Sequence, residues 1–238
     1  MKILVTNDDG VLAEGLKTLA QAACRFGEVV VYAPEEKCSG MSRAITISGS
    51  LHIKPVFLSE SFRAYSVSGT PADCVRVAVN GMNERPDLIL SGINNGYNLG
   101  HDIVYSGTVA AAREGAEAGI KSVAFSQPPC CDFTTALTYF ERIMQEVISP
   151  HNAHRLLTNV NFPDPADGEC RGIRWDTKLS EQDLYRDSCI RTDYADGSCE
   201  LNISSVHSEI ARTNCDITAV MDGFISVGYL SVAEFCCN

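Results

Sequence analysis

Basic residues are scarce in this chain: 19 Lys and Arg stand against 30 Asp and Glu, for a formal net charge of −11. That balance argues against nucleic acid or an anionic membrane as the main partner. It leaves room for a small phosphorylated substrate, because one bound cation reverses the local field. No stretch approaches the roughly 18 apolar residues of a membrane span. No apolar segment of signal-peptide length follows Met1-Lys2, so the expected location is cytoplasmic. The Gly-x-x-x-x-Gly-Lys-Ser/Thr loop and the Gly-x-Gly-x-x-Gly fingerprint are both missing. NTP hydrolysis and dinucleotide binding therefore lack their usual marks. There is no internal repeat and no low-complexity linker. Cys-x-x-Cys spacing is missing as well. The eleven cysteines are odd in number and irregularly spaced, and Cys130-Cys131 and Cys236-Cys237 are adjacent pairs. They read as reduced thiols, not as a disulfide framework or a tetrahedral zinc site.

What is present begins at the first ten residues. An apolar run, Ile3 to Val5, stops abruptly in Asn7-Asp8-Asp9-Gly10. A short aliphatic run bounded by turn residues reads as a buried strand. In an open parallel sheet, ligands gather at the carboxyl ends of strands. Adjacent carboxylates there repel each other and are costly to desolvate. A divalent cation is the simplest partner that makes the pair stable. Asn, Asp and Gly are also turn formers, so the motif alone leaves a plain turn open.

The rest of the chain follows an alternating pattern. Residues 11–26 read as an amphipathic helix, with Leu12, Leu16, Leu19, Ala20 and Ala23 at helical spacing and Gly27 as its stop. Val29 to Ala33 reads as a second strand, which makes a βαβ unit and implies a parallel sheet. Residues 44–58 and 63–68 are β-rich and predict a hairpin branching from that sheet. Thr70 is placed to cap a helix, with Pro71 at its first position. Leu88-Ile89-Leu90 predicts a third strand, followed by a Gly- and Asn-rich loop at residues 91–100. Ser106-Gly107-Thr108 opens a helix of small residues at 109–118. Such a start presents free N–H groups and a positive dipole end to a phosphate, or is simply N-capped by Ser106 or Thr108. Strands are predicted at 122–126 and 156–162, with a helix between them at 134–148 carrying Leu137, Phe140, Ile143 and Met144 inward. Residues 164–217 are polar and carry no assignable pattern, and 223–230 alternates like a late strand. The 238 residues are expected to form one α/β domain, a Rossmann-like mostly parallel sheet with helices on both faces. Its core lies in about 1–163, with a C-terminal extension over about 164–238.

The predicted strand ends bring together oxygen donors: Asp8 and Asp9 after the first, Ser39 after the second, Asn94 after the third. Two carboxylates, a hydroxyl and an amide carbonyl suit a hard cation such as magnesium, manganese or calcium. No histidine lies at a predicted strand end, which disfavours zinc or iron. His151 and His154 read as surface residues, and His101 lies near the Asn-rich loop. A cation beside a helix-start phosphate cradle describes a phosphomonoesterase, in which Asp8 or Asp9 can also serve as general base. Two other classes compete. A protein that binds metal and nucleotide without turnover has the same donors. A receiver-like phosphorylation switch also places paired acids after its first strand, but needs an Asp after the third, where this chain has Ser91-Gly92.

Five stretches carry a specific resemblance. They are Asn7-Asp8-Asp9-Gly10, Ser39-Gly40, Ser68-Gly69-Thr70-Pro71-Ala72-Asp73-Cys74, residues 91–100 (Ser-Gly-Ile-Asn-x-Gly-x-Asn-Leu-Gly), and residues 105–112 (Tyr-Ser-Gly-Thr-Val-Ala-Ala-Ala). In this order and spacing the chain resembles the SurE family of survival-protein acid phosphatases and 5′/3′-nucleotidases. Asn159 to Pro163 and residues 219–227 resemble later family segments. The resemblance implies one divalent cation per subunit, Mg2+ or Mn2+, held by Asp8, Asp9, Ser39 and Asn94. It implies hydrolysis of nucleoside 5′- and 3′-monophosphates, with Asn98, Ser106, Gly107 and Thr108 near the phosphate. It also implies a homodimer or homotetramer with exchanged segments. The chain departs from the family in having Ala13-Glu14-Gly15 where Ala-Pro-Gly is usual, and in Gly228 where a Thr-Pro pair usually begins.

Overall fold

The computed structural model describes residues 1–208 and 214–232. The first strand, β1 (Lys2–Thr6), leads through a turn into α1 (Glu14–Ala23) and then β2 (Glu28–Pro34). A short strand β3 (Ile53–Val56) and β4 (Arg63–Val67) precede α2 (Pro71–Arg76). Thr70 caps α2 as expected: its side chain accepts from Asp73 N–H, while the Asp73 carboxylate accepts from Thr70 N–H. Then come β5 (Leu88–Asn95), α3 (Gly107–Glu117), β6 (Lys121–Gln127), α4 (Thr134–Val147) and β7 (Leu157–Asn161). The C-terminal part adds β8 (Ile173–Trp175), β9 (Tyr185–Asp193), β10 (Cys199–His207), α5 (Asp216–Met221) and β11 (Ile225–Leu230).

Nine strands form one sheet in the order β3-β4-β2-β1-β5-β6-β7-β11-β8. The run from β4 to β7 is parallel throughout, while β3 and β11 join antiparallel. Parallel strands covered on both faces need apolar residues at successive positions. That is why Ile3-Leu4-Val5 does not alternate. Ile3 and Val5 pack with Leu16 and Leu19 of α1 and Phe140 and Ile143 of α4. Leu4 packs on the opposite face with Cys74 and Val75 of α2 and Ala111 of α3.

Several expectations are corrected. The helix predicted from residue 11 starts at Glu14, and Leu12 is 79% exposed. Val11 is buried instead, because its N–H is held by the Pro34 carbonyl at 2.8 Å and Ala13 N–H returns to Gly10. Those bonds keep 11–13 as a turn. Leu137 is 47% exposed, and the inward stripe of α4 is Ala136, Phe140, Ile143, Met144 and Val147. Of residues 44–58, only 53–56 form a strand. Residues 44–47 run as an irregular strap, where Thr46 N–H and Oγ1 both donate to the Asp73 carboxylate. The third strand runs on through Asn94 and Asn95, with a register shift against β6 after Ser91. Residues 164–217 contain β8, which joins the main sheet, and a separate β9–β10 hairpin. The main sheet thus extends past residue 163 through β11 and β8. No disulfide links the described cysteines; Cys236-Cys237 lies outside the described residues.

Candidate functional site

The end of β1 carries the Asp8–Asp9 pair, and three neighbouring elements close on it. Asp8 is 3% exposed. Thr108 Oγ1, in the first turn of α3, donates to Asp8 Oδ1 at 2.5 Å. Thr108 N–H also points at this carboxyl. The positive end of α3 therefore addresses a fixed anion of the protein itself. From the β2 side, Cys38 N–H donates to the Asp8 carbonyl at 2.7 Å. This draws the loop bearing Ser39 up to the pair, with the Ser39 side chain exposed.

Asp9 is held by the third element. Its Oδ2 accepts from Asn95 N–H at 3.1 Å. The neighbouring Asn94 turns its Nδ2 to the Gly96 carbonyl at 2.9 Å, which leaves its carbonyl oxygen as the available donor to a cation. Asp9 Oδ1 meets Lys37 Nζ at 3.3 Å. Hydrogen bonds thus gather Asp8, Asp9, Thr108 and the segments bearing Ser39 and Asn94 at one end of the sheet.

Close approach at α3 demands a glycine. A Cβ built on Gly107 would lie 2.8 Å from Asp8 Cβ and 3.0 Å from Asp8 Oδ2. Ser106 is buried and caps α3, its Oγ accepting from Val109 N–H at 3.0 Å. Asn98 is also buried, and its neighbours lie on β6 and β7. Its Nδ2 donates to Ser126 Oγ at 2.7 Å, its N–H to Asn161 Oδ1 at 2.9 Å, and its carbonyl accepts from Asn159 and Asn161. Those bonds brace the loop between β5 and α3. The braces on Asn98 and Ser106 and the Thr108 bond to Asp8 are internal. Of the four residues expected near phosphate, Gly107 alone has the role of making room for Asp8.

The electrostatics follow from burial. The Asp8 carboxyl is pushed up to about 6, first by desolvation and then by the adjacent Asp9 charge, against the pull of the Thr108 hydrogen bond. A buried acid raised in this way beside a second acid is an arrangement a cation relieves. Among the described residues, no group of three or more His, Cys, Asp or Glu is placed to hold a metal. A cation here would take two acidic donors and complete its shell with neutral oxygens and water, which is oxygen chemistry suited to Mg2+ or Mn2+. The residues present fit such an ion.

Asp9 opens onto a cleft of about 430 Å³ whose walls include Lys37, Asn95, Gln127, Cys131 and Phe133. Cys130 N–H donates to Asn95 Oδ1 at 2.9 Å and Gln127 Nε2 to the Cys131 carbonyl at 2.9 Å, so the cysteine pair belongs to the cleft wall. Sequence reasoning missed Lys37, Asn95 and this wall. It also missed Asp216, in the stretch without pattern. The Asp216 carboxylate accepts from Gly100 N–H and Ser180 N–H, each at 2.8 Å, and so ties α5 to the loop that carries Asn98. Burial raises its pKa. One signal was available for Asp216: it opens a short apolar helical run at Ile217. His101 is exposed and sits 3.6 Å from Asp183.

Comparison with known proteins gives a consistent picture. The family described as survival protein SurE matches residues 3–185. The chain is 37% identical over 238 residues to 5′-nucleotidase SurE of Thermosipho melanesiensis, spanning 98% of this chain and 92% of that one. It is 40% identical over 230 residues to 5′-nucleotidase SurE of Caldanaerobacter subterraneus, spanning 94% and 89%. The crystal structure of the SurE protein from Aquifex aeolicus superposes with a TM-score of 0.79 at 32% identity, covering 98% of this chain and 94% of that one.

Proposed function

The chain belongs to the SurE family, and we propose that it is a divalent-metal-dependent 5′/3′-nucleotidase, hydrolysing nucleoside monophosphates to nucleoside and phosphate. The observation that carries this reading is the raised, buried Asp8 beside Asp9 with α3 started against it; a cleft opening at Asp9 and relatives that are 5′-nucleotidases by name support it. Asp8, Asp9, Ser39 and Asn94 would hold one Mg2+ or Mn2+ per subunit. When bound, the cation supplies charge neutralisation at the phosphate oxygens and eases attack by water.

The chain's own groups do the rest. Asp9, which lines the cleft, or Asp8 beside it takes the proton of the attacking water. Thr108 keeps Asp8 oriented through Oγ1. At the start of α3, Val109 N–H is taken by Ser106 Oγ and Thr108 N–H faces Asp8, so the helix start would act on the phosphate through the Asp8 it holds and through its positive dipole end. Gly107, Ser106 and Asn98 shape and brace the phosphate side. The cleft beyond Asp9 takes the nucleoside, with Phe133 and Gln127 offering a ring face and an amide.

The protein would act on a small molecule and not on nucleic acid or a membrane surface. Its net charge of −11 supports the first exclusion. Among the described residues no helix is long and apolar enough to cross a membrane. A cytoplasmic location accords with the sequence reading. A homodimer or homotetramer with exchanged segments fits the exposed Ile190, Leu201 and Ile203 on the β9–β10 hairpin. The receiver-like alternative has no acid at the end of β5, which closes in Asn94-Asn95. Turnover alone separates the enzyme from a silent binding protein.

The deciding experiment is phosphate release from 5′- and 3′-nucleoside monophosphates, with EDTA and then with Mg2+ or Mn2+ restored. Release should vanish with the chelator and return with metal. Asp8→Asn should lower it by about 100-fold or more while circular dichroism stays unchanged. Full activity in that variant would overturn the site, and no release from folded protein under any metal would overturn the enzyme.

A further inference from the structure

Lys37 lies in the loop after β2, and its ammonium makes its one ion pair among the described residues with Asp9, at 3.3 Å. The pair is asymmetric. The Asp9 side chain is 12% exposed and the Lys37 side chain 60% exposed. Asp9 is anchored by Asn95 N–H, whereas the lysine stem is flexible and free to swing. Lys37 also lines the cleft that opens at Asp9, and among the described residues it is the one cationic side chain there, with Asp9 and Glu14 as the acids. A cleft for a phosphate monoester with one cation would use that cation if it were free. Its ammonium is engaged with Asp9 instead.

Charge balance says what releases it. Asp8 and Asp9 together leave one negative charge beyond what Lys37 compensates. A divalent cation compensates both carboxylates and removes the reason for the ammonium to stay at Asp9. The arriving substrate then meets a free ammonium at the cleft mouth, as a flexible point charge suited to a phosphate oxygen.

We propose that Lys37 is an exchangeable counter-ion: it neutralises Asp9 in the metal-free protein, yields that carboxylate to the divalent cation, and then holds the substrate phosphate at the mouth of the cleft. This rests on the reading of Asp9 as a metal ligand. It makes metal and phosphate binding mutually reinforcing through one side chain. It also makes Lys37 a specificity residue that favours phosphate esters over the free nucleoside.

The test is calorimetric titration with Mn2+, with and without inorganic phosphate, on the wild type, Lys37→Gln and Lys37→Arg. Without phosphate, Lys37→Gln should bind Mn2+ about three- to fivefold more tightly, the size expected for loss of a partly exposed ion pair. Phosphate should tighten Mn2+ binding in the wild type and in Lys37→Arg, and have little effect in Lys37→Gln. In steady-state assays Lys37→Gln should raise KM for a nucleotide more than it lowers kcat. Equal Mn2+ affinity and equal phosphate effect in wild type and Lys37→Gln overturn the proposal while leaving the metal site standing. Tighter Mn2+ binding with an undiminished phosphate effect overturns it too, since removal of any nearby positive charge would do that. A wild-type protein that binds no Mn2+ overturns the metal site itself, and the role of Lys37 with it.

Discussion

Asp8 is pulled in two directions by its surroundings. Burial and the Asp9 charge push its carboxyl up to about 6, while Thr108 Oγ1 and N–H favour the ionised form. The consequence for stability has a definite sign. The folded chain holds the Asp8 proton more tightly than the unfolded chain does, so this group's contribution is full below the ordinary carboxylate value of 3.8 and is lost as pH rises through about 6. The loss amounts to ~3 kcal/mol. Urea titrations of chelator-treated protein at pH 4 and pH 7 should show a decline that Asp8→Asn lacks. Metal should restore ~3 kcal/mol at neutral pH when it exceeds its Kd about a hundredfold. Metal affinity should fall as pH drops below about 6, because the ion must displace the Asp8 proton. An identical pH profile for wild type and Asp8→Asn would remove Asp8 as the group responsible. Little of this was legible in the sequence. The pair Asp8-Asp9 was visible as chemistry, but which of the two is buried depends on Thr108, 100 residues away.

Helix α3 shows what its own sequence decides and what it leaves open. Ser106 before a run of small residues predicts an N-cap, and the hydroxyl does accept from Val109 N–H. The small residues let the helix lie close to its neighbours, and Ala111 and Ala112 are fully buried. From sequence the helix start faces a phosphate or is simply N-capped by Ser106 or Thr108; the structure has Ser106 as the cap and puts Asp8 in front of the helix. Gly107→Ala separates the two roles of this turn. Alanine favours the helix, yet its Cβ would sit 2.8 Å from Asp8 Cβ and push the carboxylate aside. Nucleotide hydrolysis should fall by about tenfold or more with helix content and thermal midpoint near wild type. Retained activity would show that the position of Asp8 has slack. In α1 and α4, helical spacing marked Leu12 and Leu137 as inward, yet both are exposed. Spacing alone cannot tell a helix's first residue from the turn before it, nor the edge of a stripe from its centre.

At the scale of the molecule, the sheet order sets β1 between β2 and β5. This is what delivers Asp8-Asp9, Ser39 and Asn94 to one end. The C-terminal part is tied to the loop that carries Asn98 through Asp216, whose carboxylate accepts from Gly100 and Ser180 N–H. Asp216→Ala would strand those buried donors, at a cost of about 3 kcal/mol. It should also lower activity by loosening the Asn98 loop. A variant as stable as wild type in urea would show that water replaces the carboxylate. The β9–β10 hairpin stands apart from the main sheet and exposes Ile190, Leu201 and Ile203. Light scattering should give a dimer or tetramer, and charged substitutions at Ile190 and Ile203 should reduce its mass. A monomeric wild type would remove the exchange of segments from the proposal.

The sequence by itself determined most elements of residues 1–163 and their chemistry: buried strands followed by Asp, Ser and Asn, capped helices, an acidic balance, and oxygen donors without histidine. These are local properties, set by patterns a few residues long. Tertiary structure alone decided which donors meet which. It turned the start of α3 onto Asp8, placed Lys37 on Asp9, folded the cysteine pair into the cleft wall, and hid Asp216 inside a stretch that reads as loop. Each of those contacts joins residues on different elements, and its energy depends on strand order and burial. Neither quantity is carried by any short window of the chain. The polar hairpin at 185–207 was unreadable for a related reason: it packs little of itself into the core, so β9 carries no apolar alternation and the short Cys199, Leu201, Ile203 alternation of β10 is exposed.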